Sequence, residues 1–424
     1  MKKSVQILAL AMSVLMTLTS CSLIDLSSLG NNGDSGNTDS SEHQALEDRI
    51  DVLESQLSDA QLNLKNKEDE LSESLAKIKQ LEEQIVELEK NGTSTPIILP
   101  EISIPEVVVD KPTTPTTDVA KALSEINETT ADAFGKDGEN INWFIKDGIL
   151  LISGKGAGKD LAVYSKAPWN ESGYEQGVTD VIIADGVTRV GSRWFEKMGA
   201  ISNVVLADSV TSIGKAAFSE CKALANIKMS PNMKSIEDSA FRMCLSLKAI
   251  ELPEGLTSID IGAFYECKSL TSIVMPDTVT LLGAEAFHYC SSLKYVELSS
   301  NVSTIGKETF DGCSALPYIQ LDNVVNIDYQ AFEDCEAIQT LKLSDKLTSI
   351  GEGAFKNCKG LKRVDLPDSL TTIGDYGFEK CTGLVDIKVP STVTYIGERA
   401  FDKVAHVSYE GASVGTPWGA VKVN

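Results

Sequence analysis

Apolar residues recur along this chain with two different periods. Between Glu42 and Lys90 the spacing is seven. Ile50, Leu57, Leu64, Leu71, Ile78 and Ile85 form one seam, and Leu46, Leu53, Ala60, Leu81 and Leu88 form the other, interrupted by Lys67 and Ser74. No Pro or Gly breaks the segment. A seam sustained over about six heptads predicts an α-helical coiled coil. A solitary helix would leave about ten large apolar side chains in water, each worth roughly 1.5–3 kcal/mol when buried. Residues 42–91 are therefore expected to form a homo-oligomeric stalk of about 70 Å, at about 1.5 Å per residue. Asn91-Gly92 supplies the stop. The seam residues satisfy neither the dimer rule nor the trimer rule cleanly.

The second period is longer. Phenylalanines fall at 195, 218, 241, 264, 287, 310, 332, 355, 378 and 401, so the interval is 23 residues except for 22 between Phe310 and Phe332. The unit reads Phe-x-x-Cys-x-x-Leu-x-x-Ile-x-Leu-Pro-x-x-Val-x-x-Ile-Gly-x-x-Ala, as in "FKNCKGLKRVDLPDSLTTIGDYG" at 355–377. So short a unit cannot bury an apolar face alone, and neighbours must stack into a solenoid. In this copy Leu361, Val364 and Leu366 are the inward positions of one short strand, with Arg363 and Asp365 facing out. Leu370 and Ile373 are the inward positions of a second extended piece. Thr211-Ser212, Thr257-Ser258, Thr348-Ser349 and Thr371-Thr372 recur on that second piece as a polar ladder suited to β structure. With parallel strands about 4.8 Å apart, ten coils span on the order of 50 Å. The short interval, in "LDNVVNIDYQAF", is expected to tighten the turn after its strand.

Flanking segments fit the same plan. "INWFIKDGILLISGKGAG" reads as two strands around an Asp147-Gly148 turn. The repeat itself, with Met198 and Val404 in place of Cys in its first and last copies, resembles the BspA-like leucine-rich repeats of bacterial surface proteins. "WFIKDGILLISGKGAG" and "APWN" look like the segment that leads into such arrays, and "VSYEGASVGTPWGAVKV" like their closing strand with its tryptophan. The resemblance implies a mainly β fold: a leucine-rich-repeat solenoid of about ten 23-residue coils, here preceded by the N-terminal α-helical coiled-coil stalk. A β-rich N-terminal cap (119–177), the repeats (178–404) and a C-terminal cap (405–424) follow from it. It also implies export, and some family members are described as adhesins that bind host matrix proteins or other cells.

The first residues, "MKKSVQILALAMSVLMTLTSCS", carry two lysines and then an apolar stretch too short to span a membrane. Leu18-Thr19-Ser20-Cys21 resembles the bacterial lipobox, which implies a lipoprotein signal peptide at 1–20 and a lipid on Cys21. The Gly/Ser/Asn/Asp-rich run to residue 41 reads as a lipid-anchored flexible tether. Residues 92–118 contain five prolines and read as an extended spacer. The expected location is the bacterial cell envelope, lipid-anchored and surface-exposed.

Charge and candidate chemistry alter this picture little. A net charge of −23 argues against nucleic acid and against an anionic membrane surface, both of which need basic patches. Eight cysteines share one phase of the repeat, at 221, 244, 267, 290, 313, 335, 358 and 381. Export permits disulfides, but parallel side chains about 4.8 Å apart do not meet the geometry of a bridge. Free buried thiols are the expectation, and the end copies show that the site accepts plain hydrophobes. No CxxC or CxxH pair points to a metal, and no cofactor is expected. His43, His288 and His406 are the only histidines, and none completes a nucleophilic set. "GKGAGKD" at 154–160 has Ser153 and Asp160 where a phosphate loop requires Gly and Ser/Thr, so it reads as a turn. Enzymatic chemistry is therefore not expected.

Binding remains. The outward strand positions are least constrained by folding, and Val274, Tyr295, Tyr318, Lys342 and Arg363 are the candidate ligand-binding residues among them. Val274, Tyr295 and Tyr318 are expected to form an apolar-aromatic patch over three coils, suited to an interface. The alternative is a cross-strand aromatic pair that steadies the sheet. Two functions fit: adhesion to host matrix or neighbouring-cell proteins, or a structural, envelope-spacing role on another envelope component.

Overall fold

The chain divides into two compact units, Met1–Ser103 and Ile104–Asn424. The computed structural model describes residues 115, 117–171, 173, 175–409, 411, 418 and 419, all in the second unit. The heptad segment, the Cys21 region and most of the proline-rich spacer lie outside the described residues.

A short helix, Val119–Glu125, opens the described part, and the Asp118 carboxylate caps it by accepting from the Lys121 amide at 2.9 Å. Three antiparallel strands follow: Ala133–Asp137, Ile141–Lys146 and Ile149–Gly154. The last two turn on Asp147 (φ 49°) and Gly148 (φ 79°), the left-handed pair a tight hairpin requires. One face of this sheet joins the repeat core through Ile141, Trp143, Ile145, Leu150 and Ile152. The other receives the helix, which covers Leu151, Ile182 and Ala184 with Ala122 and Ile126. The helix is an addition to the expected β cap: seven residues carry too little apolar periodicity to be read from sequence.

From Ile149–Gly154 onward the sheet is parallel, continuing through Asp180–Ile183, Asn203–Leu206 and Asn226–Lys228. Cap and first coils thus share one sheet, and no strand edge is left bare between them. Later coils offer the same two extended pieces, except the Phe241 coil, whose first piece at 249–251 forms no strand. In the Phe355 coil Leu361, Val364, Leu370 and Ile373 lie in the core and Leu366 is only partly buried against it, while Arg363 and Asp365 are exposed. On the second piece each threonine hydroxyl donates to the carbonyl one coil back. Thr211, Thr257, Thr348 and Thr371 do so at 2.9–3.1 Å, which makes the polar ladder real.

A third ladder runs through the turns around each phenylalanine. The amides of Ala216, Phe218 and Glu220 donate to Asp238, Ala240 and Arg242 of the next coil at 2.7–2.8 Å. Those of Ala217, Ser219 and Cys221 bond within the coil. Such alternation needs a left-handed residue on either side of the ring, here Ala216 (φ 53°) and Glu220 (φ 60°), and the pattern repeats down the array. Because most of these positions are not glycine, nothing in the sequence announces them.

The core is a stack of rings. Consecutive phenylalanines from Phe195 to Phe401 lie 4.9–5.6 Å apart, centroid to centroid, nearly parallel and fully buried. Trp169, of the "APWN" segment, stacks on Phe195 at 5.7 Å and closes one end. At the other end the Phe401 amide donates to the Trp418 carbonyl at 2.9 Å, and the Trp418 ring is buried.

Beside the rings runs the row of eight repeat cysteines, all free and buried. Each thiol donates to the carbonyl of the phenylalanine one coil back, from Cys221 to Phe195 (3.1 Å) through Cys290 to Phe264 (3.2 Å) to Cys381 to Phe355 (3.0 Å). Burial pushes Cys267 and Cys381 up to about 12, so these thiols stay protonated donors. The first coil, with Met198, has no earlier phenylalanine rung to bond.

Candidate binding surface

Ladder register sorts the outward side chains of the first strand into two rows. Ser272 lies opposite Tyr295, and Val274 opposite Glu297. Tyr318, Thr340 and Arg363 align in the same way, with Gln320 opposite Lys342. One row therefore reads Ser272, Tyr295, Tyr318, Thr340, Arg363, and the other Val274, Glu297, Gln320, Lys342. Val274 is thus diagonal to Tyr295 rather than directly opposite it. Val274 stands in the second row beside a carboxylate, because flanking a central inward residue on opposite sides separates two outward positions by a full pleat. The rows also differ in burial: Tyr295 and Tyr318 are half-buried and Ser272 is buried, whereas Val274, Glu297 and Gln320 are exposed. Lys342 pairs with Asp322 at 3.1 Å, and Arg363 with Asp365 at 3.1 Å.

The two tyrosines belong to different sheets. Ser272–Val274 pairs only with Tyr295–Glu297, and a new three-stranded ladder begins at Tyr318–Leu321. Pro317 contributes locally. Lys294 and Gln339 donate their amides to the previous coil, at 2.8 and 3.1 Å, and Pro317 stands at the equivalent place without an N–H. No ring stack joins Tyr295 to Tyr318 among the described residues. The Tyr295 hydroxyl donates to Glu297 at 2.9 Å instead. Burial, and for Tyr295 also Glu297, raises both phenols above their ordinary range.

The short coil lies at the same break. In the neighbouring coils the turn after the strand closes from Ser299 to Val302 (3.1 Å) and from Ser344 to Leu347 (3.0 Å). In the Phe310 coil it closes from Leu321 itself to Val324 at 3.1 Å, so the turn keeps its size and begins at the last residue of the strand, where the expected tightening is lost strand-to-turn spacing. The missing residue leaves a recess of about 380 Å³ between the two coils, walled by Tyr295 and Tyr318, floored by Val296 and Leu321, and rimmed by Asp277 and Glu297.

A second cluster was not legible in sequence. The residues following each phenylalanine line up as Arg242, Tyr265, His288, Asp311, Glu333 and Lys356. Arg242 lies 4.8 Å over the Tyr265 ring, which stacks on His288 at 4.8 Å. His288 faces Glu308 through Nδ1 (3.5 Å) and Asp311 through Nε2 (3.6 Å), and Glu333 pairs with Lys356 at 2.7 Å. Burial, helped by Glu333, Asp334 and Glu308, lifts Asp311 to about 7, while burial lowers His288. The signal was a column at one phase of the repeat, invisible while each copy is read alone.

The glycine-rich 154–160 segment is structural. A side chain at Gly158 would lie 2.2 Å from the Trp194 ring. Although burial pulls Asp160 upward, hydrogen bonds from Ser192 and Arg189 hold its carboxyl at about 2. His406 pairs with Asp386 at 2.7 Å in the closing strand pair. Among the described residues no group of three or more His, Cys, Asp or Glu is arranged to hold a metal ion.

Comparison with known proteins agrees with this geometry. The model of the BspA type leucine-rich repeat region matches residues 172–294 and 281–408, in six copies. No curated protein matches the chain. Among solved structures, the chain is similar to a leucine-rich repeat protein from Bacteroides ovatus, at 24% identity and TM-score 0.43, over 68% of this chain and 90% of that one. A leucine-rich cell surface protein from Faecalibacterium prausnitzii is similar at 21% identity and TM-score 0.36, over 66% and 89%. The pneumococcal vaccine antigen PcpA is similar at 17% identity and TM-score 0.39, over 66% and 82%.

Proposed function

Because this chain belongs to the BspA-type leucine-rich repeat family, we propose that it is a lipid-anchored, surface-presented protein-binding module that adheres to host matrix or neighbouring-cell proteins. The observation that carries this reading is the division of labour within each coil. Phenylalanine, cysteine and the inward aliphatics hold the fold, while the outward strand rows are released from it. Val274, Tyr295, Tyr318, Lys342 and Arg363 occupy those rows, and the half-buried tyrosines have the character of interface anchors.

The remaining segments support presentation. A lipid on Cys21 buries methylenes in a leaflet, and the tether, the oligomeric stalk of residues 42–91 and the proline spacer raise the repeats from it. Several copies on one stalk multiply weak contacts by avidity. In this reading Cys21→Ser abolishes incorporation of radiolabelled palmitate and releases the chain from membranes. Protease shaving of intact cells cuts the wild-type repeats.

Ligand choice is tested by capture of the purified full chain on immobilised matrix proteins and on the organism's own envelope fraction. Tyr295→Ser with Tyr318→Ser should weaken matrix capture about tenfold, equivalent to about 1.4 kcal/mol, without lowering the melting temperature. Recovery of envelope partners alone would replace adhesion by the envelope-spacing role.

A further inference from the structure

The recess at the sheet break differs from the rest of the surface in what it offers a ligand. In several coils a side chain from the next coil caps the loop carbonyls. Ser230 and Asn232 donate to the Asp208 carbonyl at 3.1 and 2.9 Å. Thr278 donates to Glu254 and Leu256, both at 2.7 Å. Ser299 donates to Asp277 (3.3 Å) and Val279 (2.6 Å), and Asn301 adds a bond to Asp277 at 2.7 Å. The residue that would cap Ser300 and Val302 is the one missing from the Phe310 coil. Among the described residues, no side chain of that coil donates to either carbonyl.

The lining is consequently rich in acceptors. Beside those two carbonyls stand the carboxylates of Asp277 and Glu297. Its principal donors are already engaged: the Tyr295 hydroxyl with Glu297, Gln320 with Asp322, and the Ser300 amide with Asp277 at 2.9 Å. Lys342 sits outside the lining and is held by Asp322 at 3.1 Å. Two phenol rings supply the walls.

The Asn323 amide and the Tyr318 hydroxyl remain as donors, but two carboxylates and two carbonyls between aromatic faces favour a planar cation over an anion or an apolar group. A guanidinium offers five donors in a fixed fork and stacks on tyrosine, where an ammonium is a compact and strongly hydrated point charge. We propose that the recess between Tyr295 and Tyr318 is a socket for an arginine side chain of the protein ligand. This deepens the adhesive reading and rests on it for the identity of the ligand as a protein. The deletion at Leu321 and the missing amide of Pro317 meet at this one of the ladder breaks, and there they open the place where the partner anchors.

Titration calorimetry of the full chain at physiological salt tests the socket, with acetylated hexa-arginine, hexalysine and hexaglutamate as probes. The arginine peptide should bind, the lysine peptide at least tenfold more weakly, and the glutamate peptide not at all. Inserting one serine after Leu321 restores the repeat length without changing net charge, and should weaken arginine binding at least tenfold. Equal binding to the inserted chain would show general attraction to an acidic protein and overturn the socket. Equal binding of hexalysine would overturn the choice of arginine. If the inserted chain fails to fold, Glu297→Gln and Tyr318→Ser carry the same test, and unchanged binding in both overturns it. Capture of a matrix protein by a chain that ignores hexa-arginine would remove the socket and leave the adhesive reading standing. The reverse result would remove adhesion and leave the socket.

Discussion

Asp311 is the most perturbed carboxyl of the repeats, buried among Glu308, Glu333 and Asp334 with Lys356 as the nearby cation. Its pKa of about 7 in the fold exceeds its ordinary 3.8, so the folded chain keeps a proton that the unfolded chain has released. The penalty is full above pH 7, is relieved as pH falls through 7, and vanishes below about 4. His288 acts in the opposite sense. Burial lowers it, against the pull of Glu308, Glu285 and Glu266, so stability is lost as pH falls below its ordinary 6.5 and only the unfolded chain takes the proton. Between pH 8 and 6.5 the Asp311 effect stands alone. A tenfold change in proton affinity is worth about 1.4 kcal/mol, and relaxation of the fold around the charged carboxylate reduces the effect. Asp311→Asn is therefore expected to stabilise the repeats by about 2 kcal/mol at pH 8. The gain should shrink steadily toward pH 4. Urea unfolding at a series of pH values measures this, and a gain independent of pH would show that the carboxyl is not the titrating group.

At the scale of the coil, the ring stack and the thiol row form one device. Each phenylalanine fills the core, and its carbonyl accepts a hydrogen bond from the thiol one coil further on. Each coil is thereby tied to its neighbour through side chain and backbone at the same residue. In an array where every unit touches only its neighbours, one weak interface divides the cooperative unit. Phe264→Ala removes two ring stacks at 5.4 Å and opens a cavity in the middle of the array. The expected cost is about 3–5 kcal/mol, and the single thermal transition should split into two as the flanking blocks melt separately. Calorimetry distinguishes this from uniform destabilisation. The inward positions of these coils were legible because the period of 23 is written along the chain. The thiol bond was not, because its acceptor lies on another coil and cysteine, methionine and valine look alike as apolar fillers.

For the whole molecule, the proposed stalk would set how many repeat arrays act together. Residues 42–90 carry the heptads and lie outside the described residues, and the helix Val119–Glu125 docks on the cap sheet at the start of the described second unit. Removing residues 42–90 should leave the melting temperature of the repeats unchanged. Light scattering should then report a monomer, and capture on a dense ligand surface should fall by about a hundredfold or more, as avidity arithmetic allows. An unchanged mass would place self-association elsewhere in the chain.

The sequence by itself determined what depends on periodicity: the stacked-coil fold, the inward and outward positions of each strand, the phenylalanine and cysteine rows, the shortened coil around Leu321, and the hairpin at Asp147-Gly148. Hydrophobic burial is decided residue by residue along the chain, so a phased pattern states it directly. Tertiary structure alone decided which outward residues are neighbours. The placement of Val274 beside Glu297, the column that joins His288 to Asp311, and the uncapped carbonyls of Ser300 and Val302 all depend on the register between coils. That register is set by hydrogen bonds between residues more than 20 positions apart. A missing residue and a missing amide make a recess only where those bonds bring them to the same edge.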